Sequence, residues 1–109
     1  MNGESDILSM VWRAAKKKRL YLSHAVRQMA RPDRMISTSE VRNVIEQGEL
    51  IEDYPDDARG HSCLLLGRGD VDRAIHVVCS PKEDFLAVIT AYLPDPEDWS
   101  ADFRRRVKS

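Results

Sequence analysis

Ser37-Thr38-Ser39-Glu40-Val41-Arg42-Asn43-Val44-Ile45-Glu46-Gln47-Gly48-Glu49-Leu50-Ile51-Glu52-Asp53-Tyr54 contains the change of period on which the fold turns. Ser37 followed three residues later by Glu40 is a capping box: the serine hydroxyl meets the Glu40 amide, and the carboxylate reaches back to the Ser37 amide. Ile36 before the cap and Val41 at the fourth helical position have the spacing of a hydrophobic staple. Val41, Val44 and Ile45 continue one apolar face, and Gly48 is predicted to close the helix in the left-handed conformation. After Gly48 the apolar period falls from 3.6 residues to 2.

Downstream, Leu50–Tyr54, Ser62–Gly67, Ala74–Cys79 and Phe85–Tyr92 are β-rich runs separated by short turn segments, which favours antiparallel hairpins over crossovers. The last two runs are apolar on both faces and belong in the centre of a sheet. The chain then offers Asp95-Pro96 as a helix start, with Trp99, Phe103 and Val107 as its apolar stripe and Arg104–Arg106 at its C-terminal dipole. Upstream, Ser5 to about Lys18 reads as a helix capped by Ser5, with Ile7, Leu8, Val11, Trp12 and Ala15 on its apolar face. Arg19–Leu22 has the pattern of a short strand. A second helix runs from a Ser23 cap to about Ala30, burying Leu22, Val26, Met29 and Ala30, and Pro32 ends helical geometry at Arg31. The expected architecture is one α+β domain, 1–109. Its N-terminal helices pack on one face of a four-stranded, mainly antiparallel sheet, and a C-terminal helix follows. The segments are a helix over 1–19, a core over 20–99 and a helix over 95–109.

Composition excludes several classes. At 109 residues and 42% apolar, the chain fits one domain that buries roughly two-thirds of its unfolded surface without staples. No apolar run approaches the ~20 residues of a membrane span, and no signal-peptide core is evident, so a cytoplasmic location is expected. Two cysteines, Cys63 and Cys79, make neither a disulfide scaffold nor a CxxC pair. The histidines share no metal-ligand spacing, and Gly67-Arg68-Gly69 lacks the remainder of a phosphate loop. No metal and no cofactor are expected.

A formal charge of −1 conceals a segregation. Arg13 to Arg42 holds nine basic residues against two acids, while Glu46 to Asp57 holds six acids and no base. Either the two stretches pair across the fold, or the basic third is a footprint for nucleic acid, with Lys16, Lys17, Lys18 and Arg19 as its densest cluster. His24 stands in the first turn of the second helix, where a neutral imidazole would serve as base. Arg27 and Arg31 follow at helical spacing, so that His24, Arg27, Arg31 and the nearby Arg34 would together hold a phosphodiester. In the third β-run, alternation sets His76 on a face that Thr90 and Tyr92, grouped with Leu86 and Val88, can share. That polar row is either a structural network or a pocket floor.

Tyr21-Leu22-Ser23-His24-Ala25, the Ile36-Ser37 entry to a Glu-Val helix, Gly48-Glu49-Leu50-Ile51-Glu52-Asp53-Tyr54-Pro55, Leu64-Leu65-Leu66-Gly67, Ile75-His76-Val77-Val78 and Ile89-Thr90-Ala91-Tyr92-Leu93-Pro94 occur in that order. Together they resemble the bacterial family called domain of unknown function 4258, over about Leu20 to Trp99. Arg31-Pro32-Asp33-Arg34 departs from the continuous helix that the resemblance implies, leaving Arg31 or Arg34 for the family's basic position. The helices-then-meander order is in turn similar to the RelE/ParE and BrnT toxin folds. That likeness implies a metal-independent ribonuclease acting on RNA, neutralised by an antitoxin-like protein. The other reading is a non-catalytic module that binds nucleic acid or protein, or self-associates through an edge strand at Leu50–Tyr54.

Overall fold

The computed structural model describes residues 3–107. Its elements are α1 (Gly3–Lys17), β1 (Arg19–Tyr21), α2 (Ser23–Met29), α3 (Thr38–Gln47), β2 (Glu49–Tyr54), β3 (Ser62–Arg68), a 3₁₀ turn (Asp70–Asp72), β4 (Ala74–Pro81) and β5 (Leu86–Tyr92). α1 takes in Ser5 and Asp6, whose side chains, like residues 1–2 and 108–109 of the expected terminal helices, lie outside the described residues. No described helix is long and apolar enough to cross a membrane.

The sheet has five strands, in the order β1-β5-β4-β3-β2, and not four. β2 to β5 form the antiparallel meander, while β1 adds to β5 in parallel, with Leu20 opposite Ala87. A three-residue strand pairs only because the far end of the chain supplies its partner, a distance that local pattern does not reach. Leu86 N–H donates to Lys18 O at 2.7 Å and Leu22 N–H to Val88 O at 3.0 Å, extending the pairing beyond β1 itself.

One sheet face, with Cys63, Leu65, Ile75, Val77, Cys79, Leu86, Val88 and Ala91, packs under the three helices. α1 contributes Ile7, Val11, Ala14 and Ala15, and α3 contributes Val41, Val44 and Ile45. α2 buries Ala25 and Met29, leaving Leu22, Val26 and Ala30 exposed, a rotation of about one residue from the expected face. Trp12 is likewise 42% exposed rather than in the core.

The other face is covered by a strap, residues 94–107, and the expected C-terminal helix is absent. Residues 98–107 instead turn back on themselves around a single bridge, Trp99 opposite Arg106. Ser100 N–H donates to Arg105 O and Val107 N–H to Asp98 O. The reason lies in the arginines. Arg104 forms a two-point pair with Glu49, and Arg106 with Glu52, at 2.6–3.1 Å. Side chains two apart share a side only in extended chain; on a helix they diverge. Trp99, 5% exposed, packs onto the sheet by itself, while Val107 is 47% exposed.

α3 starts as its sequence dictates, with both arms of the capping box formed. Gly48, however, is extended (φ −75°, ψ 174°) rather than left-handed. Glycine is required there by crowding: a Cβ would stand 2.4 Å from Val44 O and 2.7 Å from Leu66 O.

Glu40 does more than cap. Its Oε1 accepts from the Ser37 amide (3.0 Å) and Arg73 (2.9 Å), and its Oε2 from the Asp70 amide (2.7 Å) and Arg73 Nε (3.1 Å). Burial pushes this carboxyl up, but Arg73 and the two amides outweigh it and hold it at about 2. Arg73→Met leaves a buried carboxylate without its cation and is expected to cost about 3–5 kcal/mol in urea denaturation. A cost below ~1 kcal/mol would show that the pair behaves as a surface bridge. Because the folded value lies below the ordinary 4.5, the contribution is full above that pH and is lost as pH falls from there toward 2. Glu40→Gln is expected to remove that acid-dependent loss.

Candidate nucleic-acid interface

The basic and acidic stretches do not neutralise one another. Glu49 and Glu52 are taken by Arg104 and Arg106, Asp53 by His61, and Asp57 by Arg59. Among the described residues, the ion pairs of the basic third beyond the Glu40 node reduce to Arg31–Asp33. Arg13, Lys16, Lys17, Lys18, Arg27 and Arg42 are exposed, and Arg19 is half-buried.

Part of this free charge converges on a groove between α1 and α3. One wall is α1 and its exit, with Trp12, Ala15, Lys16 and Arg19 at helical spacing; the other is α3, with Thr38, Arg42, Ile45 and Glu46. The groove is a row of three hollows. The first, about 480 Å³, lies against Trp12, Lys16, Arg19, Ile45 and Glu46. The second, about 290 Å³, shares Arg19 and adds Tyr21, Thr38 and Arg42. The third, about 340 Å³, shares Tyr21 and Thr38 and continues along Val26, Met29, Ala30 and Ile36. Helix ends fix the two key side chains on the α1 wall. Trp12 Nε1–H donates to Ile45 O at 3.0 Å, satisfying a carbonyl in the last turn of α3. Arg19 donates to Ala15 O at 3.3 Å in the last turn of α1, and among the described residues its remaining N–H groups have no partner.

The other residues singled out in the sequence lie apart from this groove. His24 and Arg27 stand exposed on α2. α2 ends at Met29, with Ala30 as its C-cap, so Arg31 and Arg34 are off the helix. Arg31 holds Asp33, and Arg34 donates to Gln28 Oε1 at 2.6 Å. Of the lysine cluster, Lys16 lines the first hollow, whereas Lys17 turns to the opposite side of α1 and donates to Glu83 O. The apolar pattern of α1 places Trp12 in the core, and nothing in the sequence singles out Tyr21, Thr38 or Arg42 as site residues. The aromatic residues next to the basic run are their only signal.

His76 is fully buried beneath the strap. It lies opposite Tyr92, and Thr90 lies opposite Val78, so the three share a face. A bulge at Ile89 puts Leu86 and Val88 on the other face, correcting the expected grouping. Both ring nitrogens of His76 are engaged, Nδ1 with Tyr92 OH at 3.2 Å and Nε2 with Phe103 O at 3.0 Å. Trp99 stands edge-on to the ring at 4.4 Å between centroids, and Arg106 covers Trp99 at 4.7 Å. Burial leads in pushing the imidazole below its ordinary value, and Arg106 adds to it, against Phe103 O and Glu52. The neutral ring accepts from Tyr92 and donates to Phe103, and is a clasp for the strap.

Residues 21–93 match the domain of unknown function DUF4258. The chain belongs to that family. Neither the curated proteins nor the solved structures offer a match to it. In this DUF4258 chain the matched span runs from the end of β1 through β5, so α1 and the strap lie outside it. The groove straddles that boundary: Tyr21, Val26, Thr38 and Arg42 belong to the DUF4258 span, and Trp12, Lys16 and Arg19 precede it.

The clasp makes stability depend on pH near neutrality. The unfolded imidazole takes up a proton near 6.5 and the folded one resists it, so the His76 contribution is full above that pH and falls below it. The urea midpoint is expected to drop between about pH 8 and about pH 5 in the native chain and to stay flatter in His76→Gln. An equal drop in both would assign the titration to another group.

Proposed function

We propose that this chain is a non-catalytic RNA-binding module, with the groove between α1 and α3 as its binding surface. The observation that carries this reading is the excess of cations in the groove, where Lys16, Arg19 and Arg42 face the single carboxylate of Glu46. Arg19 and Arg42 face one hollow, with Lys16 beside it, while Glu49 and Glu52 of β2 are held by the strap. Desolvating a paired arginine costs its partner; an unpaired one at a groove binds phosphate without that cost. Arginine also forms two parallel hydrogen bonds to phosphate oxygens and stacks on aromatic rings, and Trp12 and Tyr21 flank Arg19 in the row.

The geometry favours binding over cleavage. A general base needs a free ring nitrogen within reach of the scissile group, and His76 has both nitrogens occupied. His24 is exposed beside Arg27 on α2 but stands outside the groove, and Arg31 and Arg34, which would complete a phosphoryl clamp, are off the helix and engaged with Asp33 and Gln28. The likeness to RelE/ParE and BrnT toxins supports a ribonuclease only at the level of element order.

Fluorescence anisotropy with a labelled RNA oligonucleotide across a salt series tests the reading. The logarithm of affinity should fall linearly with the logarithm of salt. Lys16→Ala, Arg19→Ala and Arg42→Ala should each weaken binding and flatten that slope by about 0.7 for every phosphate no longer neutralised. Glu46→Gln, which removes the carboxylate lining the first hollow, should strengthen binding. Absence of binding at physiological salt would overturn the proposal and direct the search to a protein partner. Cleavage of the oligonucleotide that disappears in His24→Ala would replace it with the ribonuclease.

A further inference from the structure

The three hollows differ in chemistry, and their order is informative. The first sets the aromatic and apolar groups of Trp12, Ala15 and Ile45 beside Lys16, Arg19, Glu46 and Gln47. The middle one is cationic and polar, with Arg19, Arg42, Thr38 and the edge of Tyr21. The third is apolar, with Tyr21, Val26, Met29 and Ile36. A surface that merely attracts polyanions needs only the middle element. Two large apolar side chains are left in water at the ends of the row, Trp12 at 42% and Val26 at 52% exposure. Single exposed apolar residues are ordinary. Two of them in hollows that flank one cationic hollow make a composite site.

Resting on the RNA-binding reading, we infer that the groove takes a single-stranded dinucleotide step. One base lies in the Trp12 hollow, the linking phosphate against Arg19 and Arg42, and the second base in the Tyr21–Val26 hollow. A duplex keeps its base faces stacked inside and offers only phosphates to such a row, whereas a single strand offers base, phosphate and base in that order. The Trp12 ring is held by its bond to Ile45 O, so it is preorganised as a stacking platform. Charge complementarity selects the occupant. The step's phosphate is an anion placed between two apolar bodies, and the middle hollow presents two guanidinium groups with no carboxylate among its lining residues.

The experiment compares a labelled single-stranded RNA ten-mer, the same sequence as a duplex, and heparin as a polyanion without bases. Single-stranded RNA is expected to bind at least about tenfold tighter than the duplex, since each stacked base contributes substantially to affinity. Trp12→Phe should retain much of that preference. Val26→Ser and Trp12→Ala should each weaken single-strand binding about tenfold while leaving heparin binding unchanged. Trp12 fluorescence should be quenched by the single strand, and Trp99, buried under the strap, supplies an unquenched background in Trp12→Phe. Val26 is exposed, so its variant tests the third hollow even if Trp12→Ala fails to fold. Equal binding of all three probes, sensitive only to Arg19→Ala and Arg42→Ala, would overturn the inference and leave the RNA-binding reading standing as a charged surface. Tight single-strand binding indifferent to both Trp12→Ala and Val26→Ser would overturn it too. No binding of any probe would remove both readings.

Discussion

One carboxylate sets where the third helix begins and what it faces. Glu40 closes its own N-terminus through Ser37, accepts the Asp70 amide from the turn between β3 and β4, and binds Arg73 with both oxygens. Arg73 then reaches the carbonyls of Arg34 and Met35, in the segment that enters α3. A helix start, a hairpin turn and an entry loop are thus fixed by a single buried ion pair whose polar atoms are all satisfied. Such a pair contributes modest net stability but penalises any arrangement that leaves one member alone. The position of α3 on the sheet, and with it one wall of the groove, follows from that constraint.

The strap acts on the opposite face and has a second consequence for charge. Arg104 and Arg106 engage Glu49 and Glu52, and Trp99 and Phe103 O close over His76. These contacts lie over the sheet face that carries Leu66, opposite Glu49 and His76, and Leu64, opposite Glu52. They also remove two carboxylates from any competition for the N-terminal cations. Arg104 and Arg106 hold Glu49 and Glu52 at their own edge of the sheet, and among the described residues Arg19 and Arg42 take part in no ion pair.

What the sequence makes legible depends on whether the controlling contact is local. The Ser37–Glu40 box, its staple and the meander of β2 to β5 are set within a few residues, and each is readable. β1 is legible as a short strand at Arg19–Leu22, but its place in the sheet is not, because its partner, β5, lies more than sixty positions away. The C-terminal helix fails for a physical reason: Trp99, Phe103 and Val107 have helical spacing, yet the carboxylates on β2 reward alternation at Arg104 and Arg106 more. Gly48 is the expected residue with a different cause, crowding against Leu66 in place of a left-handed backbone. Bulges at Ile51 and Ile89 each shift a strand by one residue, and alternation alone cannot reveal them. In the groove, the basic run is visible. Trp12 reads as a core residue because its helical position is apolar, and only packing decides that it stands at the rim.

A near-neutral chain can bind a polyanion if its charges act locally. Arg19 lies on β1, at one edge of the sheet, and the run of acids on β2, at the other edge, with three strands between them. At about 4.8 Å per strand spacing the two edges are roughly 19 Å apart. That is more than twice the ~8 Å over which exposed charges act at physiological ionic strength. An incoming phosphate at Arg19 therefore responds to the guanidinium groups beside it, to Lys16 and to Glu46, and very little to Glu49, Glu52 or Asp53 across the sheet. The formal charge of −1 averages over a distance that the solvent does not transmit. The groove can be attractive to RNA while the molecule as a whole is not basic, and dilution of salt, which lengthens the screening distance, brings the acidic edge back into play.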